Sequence, residues 1–193
     1  MKRICVFGAS ITSGWTDTVQ GGWCDLLKCD VLKNGIFVFN LGISGNDTND
    51  LLKRLDNECK VRRPNHIIIG LGTNDSKYYL TDKKFQTPIE DFENNLNEII
   101  KISKLHCNNI TLIGLTRVDE ETINLELENK NFIFKNKYLE QYDNTIKEVA
   151  NKNKVKFIPT FDLDVEKSSD GLHPNSNGHK MLFNRIKKHI NFN

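Results

Sequence analysis

His66-Ile67-Ile68-Ile69-Gly70-Leu71 follows Pro64 and runs straight into Gly72-Thr73-Asn74-Asp75. An unbroken apolar run of that length, closed by a glycine turn, reads as a strand covered on both faces. The same pattern recurs on either side. Ile4-Cys5-Val6-Phe7, ending at Gly8, and Phe37-Val38-Phe39-Asn40-Leu41 come before it; Ile110-Thr111-Leu112-Ile113-Gly114-Leu115 comes after. Val155-Lys156-Phe157-Ile158-Pro159 is a fifth run, more polar, and is expected at a sheet edge.

Helical spacing fills the intervals. Leu51, Leu52 and Leu55 share a face between about Thr48 and Val61. Ile89, Phe92, Leu96, Ile99, Ile100 and Leu105 recur at helical spacing, with Pro88 suited to a first turn. Tyr138, Tyr142, Ile146 and Val149 do the same, as do Met181, Leu182, Ile186 and Ile190, and Trp23, Leu26 and Leu27 mark another helix. Strands alternating with helices predict an α/β fold around a parallel sheet, with right-handed crossovers. Arg117 to Lys137 is long and polar, and reads either as a lid or pocket wall or as an ordinary surface insertion.

The 193 residues fit one domain spanning 1–193 with a single sizeable core. The formal charge of +2, from 27 basic and 25 acidic residues, offers no field for nucleic acid or a membrane surface. Met1-Lys2-Arg3 before Ile4 superficially resembles a signal peptide. The apolar stretch is too short, however, and a buried first strand in a cytoplasmic protein is the expectation. Cys5, Cys24, Cys29, Cys59 and Cys107 show no metal-like spacing and are read as reduced, mostly buried thiols. No cofactor or metal is expected.

In parallel sheets ligands bind beyond the carboxyl ends of the strands. Gly8-Ala9-Ser10-Ile11-Thr12-Ser13-Gly14 lies at the first such end, Ile43-Ser44-Gly45-Asn46 at the second and Gly72-Thr73-Asn74-Asp75 at the third. Asp170-Gly171-Leu172-His173-Pro174 precedes the last helix. A carboxylate three residues before a histidine, across a glycine turn, can hold the imidazole Nδ1–H and leave Nε2 as a base. Serine needs such a base to become a nucleophile. The Asn74 amide can donate to an oxyanion, and the Gly45 and Ser10 N–H groups can join it. Each of these residues alone reads equally well as a turn or a helix cap. Tyr78, Tyr79, Arg117 and Trp15 are further candidates for pocket walls or an anion contact, against ordinary packing. His66, His106, His179 and His189 read as packing or surface residues.

With these motifs in hand, the chain resembles the SGNH (GDSL-type) hydrolases. Four separated motifs, from Phe7-Gly8-Ala9-Ser10 to Asp170-Gly171-Leu172-His173-Pro174, carry Ser10, Gly45, Asn74 and His173 in that family's order. Gly21-Gly22-Trp23 adds to the match. The resemblance implies a three-layer α/β/α sandwich with a flavodoxin-like five-stranded sheet. It implies Ser10 as nucleophile with Asp170 and His173, an oxyanion hole from Ser10, Gly45 and Asn74, and a small-molecule ester as substrate. One departure stands beside the nucleophile, where the usual Gly-Asp-Ser reads Gly8-Ala9-Ser10. An acyltransferase on the same residues and a non-catalytic flavodoxin-like binding module are the competing readings.

Overall fold

Neighbouring residues of a strand face opposite sides of a sheet, so an apolar run must be covered twice. The computed structural model, which describes residues 2–127 and 130–190, shows how. Along the chain come β1 (Lys2–Gly8), α1 (Ser10–Ser13), α2 (Gly22–Leu32), β2 (Ile36–Gly42), α3 (Thr48–Arg62), β3 (His66–Gly70), β4 (Tyr78–Tyr79) and β5 (Lys84–Phe85). Then follow α4 (Ile89–Lys104), β6 (Ile110–Ile113), α5 (Glu120–Glu126), β7 (Phe132–Ile133), α6 (Asn136–Asn153), β8 (Lys156–Ile158) and α7 (Ser176–His189). Five strands form a parallel sheet in the order β2-β1-β3-β6-β8. The β8 run takes the edge expected of it.

The two faces of β1 show the sandwich directly. Cys5 and Phe7 point into one core with Leu51 and Leu55 of α3, Leu96 of α4 and Tyr142 of α6. Ile4 and Val6 point into the other, with Trp23 and Leu27 of α2 and Leu182 and Ile186 of α7. The N-terminal apolar run is thus a central strand. No helix among the described residues is long and apolar enough to cross a membrane. Cys5, Cys24 and Cys59 are buried free thiols, and Cys29 is exposed.

The carboxyl ends of β2, β1 and β3 meet in one row, since Gly8 pairs with both Gly42 and Gly70. This row lets the chain after β1 fold back tightly over the strand ends. A Cβ on Gly8 would stand 2.0 Å from Thr12 Oγ1, and one on Gly42 would stand 2.4 Å from the Ser13 nitrogen. The missing side chains are what bring α1, with Ser10 at its start, down onto the sheet.

Sequence periodicity did not resolve the small antiparallel sheet β5-β4-β7 or the short α5. They are built from the segment after Asn74 and from the 117–137 stretch, and they stand over the same end of the main sheet.

Candidate active site

Ser10 opens the one-turn helix α1, and its neighbour Ala9 gives no side-chain cap. The turn is closed by main chain: Ser13 N–H donates to Ala9 O at 2.9 Å and Trp15 N–H to Ser10 O at 3.0 Å. The Ser13 hydroxyl adds a bond to Ser10 O at 2.9 Å.

His173 arrives from the loop before α7. Its Nδ1–H donates to Asp170 Oδ2 at 2.6 Å, and Nε2 accepts from the Ser10 hydroxyl at 2.8 Å across 163 residues of sequence. A carboxylate can only accept, so this bond fixes the tautomer and leaves the Nε2 lone pair facing serine. The other Asp170 oxygen, Oδ1, accepts from the Ser168 hydroxyl at 2.8 Å and from the Leu172 and His173 N–H groups at 2.9 Å each. Burial would raise the Asp170 pKa, but the hydrogen bonds from His173, Leu172 and Ser168 outweigh it and bring it from 3.8 down to about 2. The carboxylate therefore stays charged beside the imidazole.

Asn74 follows β3, and its Nδ2 donates to Asn46 O at 2.9 Å. An amide nitrogen carries two hydrogens, so one remains for the cleft. The bond also ties down the loop that carries Gly45. Arg54 holds the same loop from α3, with Nε on Asn46 Oδ1 at 3.1 Å and Nη2 on Leu41 O at 2.8 Å. Gly45 sits at φ +83°, and a Cβ there would meet open space. Its N–H has no hydrogen-bond partner among the described residues, and the same is true of the Ser10 N–H. Two free backbone donors and one half-used amide thus belong to the loops at this strand-end row.

Two cavities flank the serine. A chamber of about 30 Å³ is lined by Ala9, Ser10, Asn74 and Leu172, among others. A larger one of about 290 Å³ is lined by Asn74, Asp170 and His173 on one side, and by Ile123, Leu127, Phe132 and Phe134 on the other. The 117–137 stretch is therefore a pocket wall.

Other candidates fall elsewhere. Tyr78 packs on Phe85 and Tyr138, and the Tyr79 hydroxyl bonds Gln86, so neither lines the larger cavity. Both belong to β4, which pairs with β5 and β7 in the small sheet, and Lys77 just before it lines the cavity in their place. Arg117 lies over the Phe161 ring and bonds its carbonyl. Trp15 is exposed beside a shallow surface hollow. His66 shares a hydrogen bond with Thr111, and His179 accepts from Trp23 N–H. Burial draws both imidazoles down to about 4. His106 pairs with Asp56, and His189 bonds Arg185 O.

Two buried carboxylates had no distinguishing mark in the sequence. Asp17 accepts from the N–H groups of Val19, Gln20 and Gly22 and from the Ser176 hydroxyl, joining the loop after Ser10 to α7. Asp75 caps α3 through the Thr48 N–H and hydroxyl. No cluster of side chains able to hold a metal ion occurs among the described residues.

A parallel α/β sheet with a Ser–His–Asp chain at its carboxyl edge is the arrangement of a hydrolase class found on several folds. Residues 6–181 match the model of the GDSL-like lipase/acylhydrolase family. The chain belongs to that family and is an ester-hydrolysing enzyme. It is 24% identical over 180 residues to an arylesterase of Vibrio mimicus, covering 90% of this chain and 80% of that protein. The lipase/acylhydrolase of Enterococcus faecalis superposes with a TM-score of 0.76 at 26% identity, over 97% of this chain and 94% of that one. An acetylxylan esterase of Geobacillus stearothermophilus shares the fold, with a TM-score of 0.76 at 19% identity over 100% and 95%.

Proposed function

We propose that this enzyme cleaves a small-molecule carboxylic ester through an acyl-enzyme on Ser10, with His173 as base, Asp170 as its orienting partner, and Ser10 N–H, Gly45 N–H and Asn74 Nδ2 as the oxyanion hole. The observation that carries the reading is the unbroken chain from Ser10 Oγ through His173 to Asp170, at 2.8 and 2.6 Å. The names of its relatives, an arylesterase and a lipase/acylhydrolase, are consistent with such a substrate.

Ser10 Oγ bonds the acyl carbon as its proton passes to His173 Nε2. The carbonyl oxygen becomes an oxyanion facing the three donors, and removing one such donor typically costs roughly 2.7–4 kcal/mol of transition-state stabilisation. When the carbon–oxygen bond to the alcohol breaks, the departing oxygen takes the proton from Nε2. Water then attacks the acyl-enzyme and yields its proton to His173. Collapse releases the acid and returns the proton to Ser10. No step requires a metal or an organic cofactor.

The test is turnover of 4-nitrophenyl acetate together with the intact mass after treatment with a serine-reactive phosphonate. The native enzyme should turn over and gain one adduct at Ser10. Ser10→Ala should lose both. Turnover retained by Ser10→Ala, or an adduct elsewhere, would refute the nucleophile assignment.

A further inference from the structure

The two cavities beside Ser10 differ in size, lining and charge, and each difference bears on which half of an ester it can hold. The chamber of about 30 Å³ touches Ser10 and Asn74 but not His173. It is much the smaller of the two, with room for a small group only. An acyl chain starts at the carbon bonded to Ser10 Oγ, with its oxygen at the Asn74 amide, and so begins here. The cavity of about 290 Å³ touches His173 and Asn74 but not Ser10. The departing alcohol oxygen must reach His173 Nε2 to be protonated, so the alcohol side leads into this cavity. At about 290 Å³ against about 30 Å³, it is the cavity with room for a ring-sized group.

Its lining sets the chemistry. Phe132, Phe134, Ile123, Leu127 and Leu172 make an apolar wall, and the Asp170 carboxylate in the same lining has its oxygens taken up by His173, Leu172 and Ser168. Lys77 is a lining residue of the same cavity, and its Nζ stands 4.8 Å from the centre of the Phe132 ring. Among the described residues no carboxylate lies within ion-pair distance of that ammonium. A half-buried cation resting on an aromatic face, with no carboxylate of the described residues paired to it, is partly desolvated and favours an incoming negative charge. Burial accordingly lowers the Lys77 pKa, against the more distant charges of Asp47 and Asp75.

We infer that the larger cavity receives the alcohol side of the ester and that Lys77 selects an aromatic or similarly apolar alcohol bearing a negative charge, joined to a short acyl group. The inference rests on the proposed roles of Ser10 and His173 for its direction, and on the cavity lining for its charge preference.

Three esters test it. 4-Acetoxybenzoate carries the charge on the alcohol side, 4-acetoxybenzamide is its uncharged counterpart, and monophenyl glutarate carries the charge on the acyl side. The ratio of kcat/KM for the benzoate over the benzamide should fall about tenfold or more in Lys77→Met, the lower end for a hydrogen bond to a charged group. Lys77→Arg should keep most of it. Monophenyl glutarate, whose acyl chain exceeds the chamber, should be turned over poorly, and that turnover should not depend on the Lys77 charge. A ratio that Lys77→Met leaves unmoved, or a Lys77-dependent preference for the glutarate, would overturn the inference. Binding of 4-hydroxybenzoate to Ser10→Ala, followed by calorimetry, supplies a readout independent of hydrolysis. Binding that weakens about tenfold on adding Lys77→Met supports the anion site even if another nucleophile is found. Binding that ignores Lys77 removes it.

Discussion

Asp75→Asn is a perturbation whose effect on stability should depend on pH in a defined way. Asp75 is fully buried immediately after Asn74. Its Oδ1 accepts from the Thr48 N–H at 3.0 Å and the Thr48 hydroxyl at 2.6 Å, and an asparagine carbonyl can accept both. Its Oδ2 is buried and makes no hydrogen bond of good geometry among the described residues, with the Thr87 side chain nearby. Burial pushes the carboxyl up from 3.8 to about 6, against the hydrogen bonds from Thr48 and with the help of the nearby Asp47 charge. An acid whose folded pKa lies above its unfolded one supports the fold only while protonated. Its contribution is complete below pH 3.8 and is gone once the pH has risen through about 6.

The interval between 3.8 and about 6 corresponds to about 3 kcal/mol, at ~1.4 kcal/mol per pH unit. Roughly 2 kcal/mol of it falls between pH 4.5 and 7.5, because at 4.5 the unfolded carboxyl is already mostly ionised. Asparagine does not titrate, so the variant's stability relative to the native protein should improve by roughly 2 kcal/mol from pH 4.5 to 7.5. Any constant effect of the substitution cancels in that difference. Urea unfolding at the two pH values measures it. With a slope near 2 kcal/mol per molar, the gap between the midpoints should change by about 1 M. An equal gap at both pH values, or a change of opposite sign, would show that Asp75 is not held above its unfolded pKa.

Asp170→Asn should lower kcat by about 10⁴-fold on a short activated ester. Oδ1 is fixed by Ser168, Leu172 and His173 N–H, so the new amide NH₂ must face Nδ1 and force the ring hydrogen onto Nε2; a loss under about tenfold would refute this. Asn74→Ala should lower kcat by at least about 10²–10³-fold with little change in KM, since it removes one donor and unties the loop bearing Gly45. A loss confined to KM would mean that Asn74 only positions the substrate.

The sheet was readable because its strands are short apolar runs buried on both faces, and Ile67, Ile68 and Ile69 leave little other choice. Ser10 and Asn74 stood out because small polar residues directly after such runs lie at the strand-end cleft, whereas His173, before the last helix, was joined to them only through the family resemblance. What escaped has a physical reason in each case. β4, β5 and β7 are two residues long, too short for any period. α5 has seven residues and only one firmly buried apolar position, Ile123. Asp17 and Asp75 resemble turn residues in sequence, and only long-range contacts to Ser176 and Thr48 reveal them as buried ties. Lys77 carries no mark in the sequence, because the ring beneath it lies 55 residues along the chain. Tyr78 and Tyr79, the more conspicuous neighbours, were drawn away by the small sheet.

Ala9 is the position where motif and chain part, and the surrounding turn shows how the difference is absorbed. A carboxylate there would offer hydrogen bonds to the nucleophile turn. Here the turn is fixed by packing and main chain instead. Gly8 and Gly42 admit Thr12 and Ser13 at distances no Cβ would allow. Ser13 N–H, Trp15 N–H and the Ser13 hydroxyl close the turn on the carbonyls of Ala9 and Ser10. The elements around it are tied by carboxylates placed elsewhere: Asp17 between the following loop and α7, Asp75 at the start of α3, and Asp170 in the histidine loop. Ser10 is thus positioned without a side-chain cap at residue 9. The small side chain at 9 also leaves open the chamber that it lines with Ser10. The substitution that removes a hydrogen-bonding group from the motif therefore coincides with the space in which a short acyl group would lie.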